Sequence, residues 1–292
     1  MDKQIKSVYL ISLAAILILS VITGIFSVLA YTFEFDASIS HFQFDSVFAP
    51  VFIVCSVLSA AAALVLTAVL RRRFTLDASV PMRAGLTFTC AFSGAMLLIV
   101  SILGLVEISG GTGASTLLLL RHITGVPAGL CFLWGALADA KKTHASTGFA
   151  LASFLPILWA IFSVMYYYFD SSYSLNSPLK ISLMLMFVSI MLFFSHDCRL
   201  TLDRPKMDLF LFSGFCVLIF AGSVAFAGFA SFLRGGVSLR FTLPETCLYF
   251  AVWLYTLAKL ATAYAVLGAP KKTAKEITEE ESAGSHRENP LT

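Results

Sequence analysis

Long apolar runs without a charged residue are the feature that most restricts how this chain can fold. A helix that rises 1.5 Å per residue needs roughly 20 residues to cross a hydrocarbon layer about 30 Å thick. Five uncharged runs exceed that length, at residues 7–33, 46–70, 84–106, 145–169 and 209–233. Three further runs reach it with one cation each, Arg121, Lys180 and Lys259. Lipid is therefore predicted to solvate most of the chain.

The lipid also determines the secondary structure. Unpaired backbone N–H and C=O groups are costly in hydrocarbon, and a helix pairs all of them within one segment. We expect an all-α, polytopic transmembrane helix bundle over residues 1–268 and a disordered cytoplasmic tail at 269–292, where the hydrophobic pattern ends. The eight expected spans lie at about 8–31, 47–70, 84–106, 116–138, 146–169, 178–198, 208–232 and 246–267.

The Lys and Arg residues are distributed unevenly between the two ends of these spans. Of the 20 cations, fifteen fall on one set of alternating ends, four fall on the other, and Lys259 lies inside a span. The fifteen are Lys3, Lys6, Arg71, Arg72, Arg73, Arg83, Lys141, Lys142, Arg199, Arg204, Lys206, Lys271, Lys272, Lys275 and Arg287. Because cytoplasmic loops carry an excess of Lys and Arg, both termini are predicted to be cytoplasmic.

The first span has an alternative interpretation as a cleavable signal peptide. Lys3 and Lys6 precede an apolar stretch that contains the small-residue ending Val28-Leu29-Ala30. A cleaved signal has an apolar core of about 7 to 15 residues, and this stretch is longer, which favours an uncleaved helix. Cleavage would leave seven helices and an outside N-terminus.

Short matches between the two halves raise the prospect of a parallel four-plus-four repeat. The loop Arg73-Phe74-Thr75-Leu76-Asp77 after span 2 resembles Arg199-Leu200-Thr201-Leu202-Asp203 after span 6. A duplicated four-helix unit keeps its orientation because four is even, as in parallel-repeat transporters. The alternative is that loops at equivalent positions converge on Arg, Lys and Asp.

Two positions inside the spans are candidates for substrate or ion binding. Lys259 lies about 12 Å from the cytoplasmic end of span 8, so it should find a partner such as Asp197, Asp208 or Asp139. Alternatively, the aliphatic part of the Lys259 side chain packs along the helix and its ammonium lies among the inner lipid headgroups. Span 4 begins with Arg121 and His122, followed by Pro127 between two glycines of a G-x-x-x-G sequence. Pro127 is expected to kink the helix here. The kink either places free backbone groups beside a substrate or only allows close packing of another helix.

The first outer loop holds Glu34, Asp36, His41 and Asp45, which could contact a divalent cation. Their spacing matches no standard metal site, and the alternative is a solvated acidic hairpin. The six cysteines are scattered one per span without ligand spacing. No cofactor, metal site or catalytic residue is predicted.

One stretch of the chain resembles a known group of proteins. It runs from Phe169-Asp170 through Asn176-Ser177-Pro178-Leu179-Lys180 into a Met/Leu/Phe-rich span that ends in an acidic residue and Arg199. It is similar to uncharacterised eight-helix integral membrane proteins of anaerobic Firmicutes, best over spans 5 and 6. The resemblance implies a bacterial cytoplasmic (inner) membrane and the same topology, but no function and no role for any residue.

Three classes of function remain for such a chain. The first is a small-solute transporter or permease-like protein, indicated by the repeat, the kinked span 4 and Lys259. The second is a non-catalytic accessory subunit or sensor that binds another membrane protein. The third, an intramembrane enzyme, lacks a paired His or Asp motif at membrane depth. The expected partners are the lipid bilayer and either a solute or a membrane protein, with no nucleic acid.

Overall fold

The computed structural model describes residues 2–71, 84–111, 115–140, 147–172, 174, 176–202, 206–235, 239 and 242–266. Its helices are α1 Asp2–Leu29, α2 Phe48–Arg71, α3 Ala84–Gly110, α4 Thr116–Ala140, α5 Thr147–Ala152, α6 Leu155–Phe169, α7 Pro178–Thr201, α8 Met207–Leu233 and α9 Leu243–Val266. A π-helical turn, Ala30–Glu34, follows α1 and leads into a short antiparallel hairpin, β1 Phe35–Asp36 and β2 His41–Phe42. The predicted all-α membrane bundle is confirmed, and the predicted tail at 269–292 lies outside the described residues.

The fifth expected span differs from its prediction. Among the described residues, seven helices are long and apolar enough to cross a membrane, whereas residues 146–169 contain α5 and α6 with a turn at Ser153 and Phe154. Pro156 explains the break, because its ring crowds the carbonyl four residues earlier, at Ala152, and it has no N–H to donate. With 15 residues, α6 is about 22 Å long, so the expected continuous span is a broken helix.

Six helices form a closed ring. Contacts run from α3 to α4, from α4 to α6, and on through α7, α8 and α9 back to α3. The helices α1 and α2 lie outside this ring and pack against each other and against α8. Large side chains fill the interior, and Trp159, Phe187 and Tyr249 are fully buried there.

The helix α8 is the centre of the bundle. Its apolar stretch is 78% buried, compared with 22% for α2. Two neighbours donate hydrogen bonds to one of its carbonyls, since Ser20 Oγ and Trp253 Nε1 lie 2.5 and 2.9 Å from the oxygen of Leu218. A Cβ on Gly222, one turn further on, would lie 2.8 Å from that Oγ and 2.9 Å from that Nε1. The missing side chain therefore lets α1 and α9 reach the backbone of α8.

The packing matches a four-plus-four repeat only in part. The pairs α1 with α2 and α3 with α4 have counterparts in α6 with α7 and α8 with α9. The counterpart of the α7–α8 contact would join α2 to α3, which are not substantially packed in the part of the chain that the structure describes. Residues 73–77 of the matching loop lie outside the described residues, so the duplication stays a prediction.

A glycine-to-alanine pair tests the role of Gly222. We expect Gly222→Ala to destabilise the bundle by about 1–3 kcal/mol, because the new methyl group overlaps the Ser20 hydroxyl and the Trp253 indole nitrogen. The control is Gly85→Ala in α3, where a Cβ meets no described atom within 4 Å and helix propensity favours alanine. Thermal unfolding in detergent should show a lower midpoint for the first variant and an equal or higher midpoint for the second. Equal effects of the two changes would contradict this account.

Candidate functional site

Arg121 lies at one end of the ring interior and is almost completely buried, with 2% of its surface exposed. Its guanidinium pairs with Glu245 of α9, and the Nη2–Oε1 distance is 3.1 Å. The guanidinium carbon also lies 5.2 Å from the ring centre of Tyr167 and 5.8 Å from that of Phe187. A counter-charge and aromatic faces are the groups that stabilise a cation removed from water. The side chain thus joins α4, α6, α7 and α9.

The first turn of α9 holds Glu245 in place. Thr242 and Glu245 form a reciprocal capping box: the Glu245 N–H donates to Thr242 Oγ1 at 3.3 Å, and the Thr242 N–H donates to Glu245 Oε2 at 3.2 Å. This arrangement leaves Oε1 for Arg121. Glu245 is not among the predicted site residues, although the T-x-x-E spacing before an apolar run is a signal for such a cap.

A cavity of about 520 Å³ lies next to this ion pair. Side chains from four helices and the adjoining loops line it, including Glu107, Arg121, His122, Tyr166, Asp170 and Glu245. His122 is only 6% exposed, and no described residue forms a hydrogen bond with it. Its imidazole lies directly over Gly104 of α3, where any Cβ would overlap the ring. The structure therefore brings Arg121 and His122, both predicted site residues, to one cavity.

Pro127 is not part of this cavity. It lies inside α4, which continues through it, and it does not line the cavity. The neighbouring glycines pack α4 against α3, because a Cβ on Gly129 would lie 2.8 Å from Leu98 and 2.9 Å from the carbonyl oxygen of Gly94. This geometry favours the packing interpretation of the G-x-x-x-G sequence. The binding role predicted for Pro127 stays a prediction.

A second polar cluster lies at the opposite end of the interior. Lys259 of α9 pairs with Asp197 of α7, with 2.9 Å between Nζ and Oδ1, and the Tyr255 hydroxyl donates to the other carboxylate oxygen at 2.8 Å. The sequence expectation that Lys259 finds an acidic partner is met by Asp197. A small cavity of about 60 Å³ adjoins the cluster. Its volume corresponds to one or two water molecules at about 30 Å³ each.

Aromatic side chains separate the two ends. Tyr167 and Tyr249 meet through their hydroxyls at 3.0 Å, and the Phe187 ring packs on both. Closer to Lys259, the Phe132 ring lies 5.4 Å from Phe194 and 5.3 Å from Tyr255. The interior is thus a column with an ion pair at each end and aromatic rings between.

The outer-loop residues have separate roles. Both carboxylate oxygens of Glu34 accept from backbone N–H groups at the start of α2, from Val47 and Phe48 at 2.6 and 2.8 Å and from Ala49 at 2.8 Å. They satisfy donors that a helix N-terminus leaves unpaired.

The other three residues of this predicted cation site do not join Glu34 in one cluster. The Ser38 hydroxyl and N–H donate to Asp36, which lowers the pKa of that carboxyl. His41 Nε2 lies 3.0 Å from Ser174 Oγ, and Asp45 is exposed. Within the described ranges, no three His, Cys, Asp or Glu side chains are grouped as metal ligands. The cation contacts stay a prediction.

Lys180, the cation of the sixth expected span, is buried and caps a helix. Its Nζ donates to the carbonyl oxygen of Asp170, the residue that ends α6, at 2.8 Å. A cation at a helix C-terminus is favourable because unpaired carbonyls collect there.

No family model, no curated protein and no solved structure matches the chain.

A double-mutant cycle tests the inner ion pair. We expect Lys259→Met and Asp197→Leu each to cost about 3 kcal/mol, because each leaves one charge buried without its counter-charge. The double variant should lose clearly less than the sum of the two, since no unpaired ion remains. Thermal unfolding in detergent measures all three.

The control for this cycle is the exposed pair of Arg71 and Asp208, at 3.4 Å, in which the Arg71 side chain is 73% exposed. Arg71→Met should cost less than about 1 kcal/mol. Additive losses in the double variant would show that Lys259 and Asp197 do not stabilise each other.

Proposed function

We propose that this multi-pass membrane protein is a small-solute transporter of the bacterial cytoplasmic membrane, with both termini in the cytoplasm. One observation supports the proposal above the others: a large cavity and a small cavity beside the Lys259–Asp197 pair lie at opposite ends of one closed ring of helices, with aromatic layers between them. The resemblance to eight-helix proteins of Firmicutes agrees with that membrane and that topology.

The larger cavity has the dimensions of a solute site. Pockets for small molecules occupy roughly 300–1,000 Å³, and 520 Å³ lies within that range. Ionisable side chains within membrane-spanning helices commonly mark the path of an ion or a solute. In the proposed orientation α4 and α9 begin at the outer surface, so the larger cavity faces outward and the Lys259–Asp197 pair lies toward the cytoplasm. The layer of Tyr167, Tyr249 and Phe187 then closes the inward path.

The accessory-subunit alternative has one observation in its favour. The helix α2 lies outside the ring and presents many apolar side chains outward, including Val54, Val57 and Leu58. Lipid tails or a partner helix would both cover such a face. Purification in mild detergent distinguishes the two functions, since a subunit is recovered with a stoichiometric partner and a self-sufficient transporter without one.

The orientation is tested by reporter fusions. A green fluorescent protein joined to the C-terminus should fluoresce, because it folds in the cytoplasm, and alkaline phosphatase inserted in the hairpin near Ser40 should be active, because it folds outside. Both results follow if the excess of Lys and Arg faces the cytoplasm. Activity of alkaline phosphatase fused to the C-terminus would show that the orientation is the opposite one and that the larger cavity faces the cytoplasm.

Transport is tested in proteoliposomes with a panel of labelled amines, carboxylates, sugars and amino acids. We expect saturable uptake of at least one class, and at least a tenfold loss of that uptake in Lys259→Met, because the inner ion pair then has no cation. Arg71→Met, which removes an exposed cation outside the ring, is the matched control and should transport normally. Folded, monodisperse protein without saturable uptake of any class would reject the transporter.

A further inference from the structure

The larger cavity contains more negative than positive charge. Arg121 is the one cation among the described residues that line it, and Glu245 already neutralises this charge. Two further carboxylates, Glu107 and Asp170, line the same space, and neither forms a salt bridge with a described residue. Lys180 lies beside Asp170 and is counted as well. The region then holds three carboxylates and two cations, namely Glu107, Asp170 and Glu245 against Arg121 and Lys180. One negative charge in this region therefore lacks a described counter-charge.

Both of these carboxylates lie at helix ends where an acidic group is unfavourable. Glu107 is in the last turn of α3, which ends at Gly110, and Asp170 caps the C-terminus of α6. Unpaired carbonyls give a helix C-terminus a partial negative charge, so carboxylates there are stabilised by a nearby cation. Lys180 meets the backbone oxygen of Asp170 rather than its carboxylate. A mobile cation in the cavity would supply the counter-charge that the described residues do not.

His122 gives an independent indication of the ligand. It is more than nine-tenths buried, lines the cavity, and has no hydrogen-bond partner among the residues that the structure describes. A neutral imidazole has one N–H donor and one nitrogen acceptor, and no described residue uses either of them. Gly104, which the ring covers, precedes Glu107 by three residues, so the two lie on one face of α3. A ligand with an N–H group and a positive charge would match the His122 imidazole and the Glu107 carboxylate.

We infer that this cavity binds the protonated amino group of a small solute, a primary or secondary ammonium, between His122, Glu107 and Asp170. The inference rests on the proposed transporter and names the class of its substrate. An anionic solute would face both carboxylates and would have to displace Glu245 from Arg121. A quaternary ammonium has the charge but no N–H for the imidazole.

Binding to the purified full chain tests the inference directly. In phosphatidylcholine nanodiscs, calorimetry with butylammonium, tetramethylammonium and butyrate should show binding of butylammonium, at least tenfold weaker binding of tetramethylammonium, and no binding of butyrate. Glu107→Gln and His122→Phe should each weaken butylammonium binding at least tenfold. Equal binding of tetramethylammonium or butyrate, or unchanged affinity in Glu107→Gln, would overturn the inference.

A matched control is Asp45→Asn, which removes an equally exposed acidic charge between the outer hairpin and α2, outside the cavity. It should bind butylammonium as the unmodified protein does, and an equal loss in this variant would show that only the general surface charge matters. Glu107 is exposed, so its substitution should leave the unfolding midpoint unchanged, and the midpoint is measured alongside.

A primary ammonium also occurs on phosphatidylethanolamine, so the lipid is varied as well. A weaker apparent affinity for butylammonium in phosphatidylethanolamine nanodiscs would identify a lipid headgroup as the occupant, and an unchanged affinity would identify a soluble amine. Failure of the amine inference differs from failure of transport. Saturable uptake of a carboxylate or sugar without butylammonium binding would reject the amine site alone, and butylammonium binding without any uptake would reject the transporter alone.

Discussion

An ionised side chain inside a lipid-solvated bundle has to find its partners within the protein, because hydrocarbon provides none. That constraint organises the interior of this protein. Arg121 is surrounded by a carboxylate and three aromatic rings, and Lys259 by a carboxylate that also accepts from a tyrosine. Both carboxylates come from a different helix than the cation they face. The charges therefore connect α4 to α9 and α7 to α9 across a space that aromatic side chains fill.

The hydrophobic effect does not hold these helices together, since lipid tails are as apolar as the side chains. Close packing and hydrogen bonds between helices do so instead. The carbonyl of Leu218 accepts from α1 and from α9, and Ser27 of α1 donates to the carbonyl of Ser223 at 2.9 Å. Small residues in α8 allow these approaches. The central helix thus has small side chains at the positions where neighbouring helices donate hydrogen bonds to its backbone carbonyls.

The sequence predicts the helices well because their cause is local. Uncharged runs of sufficient length require helices in lipid, and the small residues of α8 indicate close packing wherever the helix lies. The fifth span is predicted as continuous, although Pro156 lies too far from the start of that run to be its first helical residue and is a signal for the observed break. The ring could not be predicted, because contacts such as α3 with α9 join segments far apart in the chain. For the same reason the sequence does not predict that Glu34 caps α2, since the hairpin must first bring the chain back to this carboxylate.

The two ion pairs are mechanically linked through one helix. Glu245 and Lys259 belong to α9 and are 14 residues apart, which is about 21 Å along a helix axis. A helix moves as a stiff rod over that length, so a tilt of α9 that lengthens the contact with Arg121 also changes the contact between Lys259 and Asp197. One rigid element thus holds the Arg121–Glu245 and Lys259–Asp197 contacts at a fixed spacing, so neither contact can change its geometry through a movement of α9 without affecting the other.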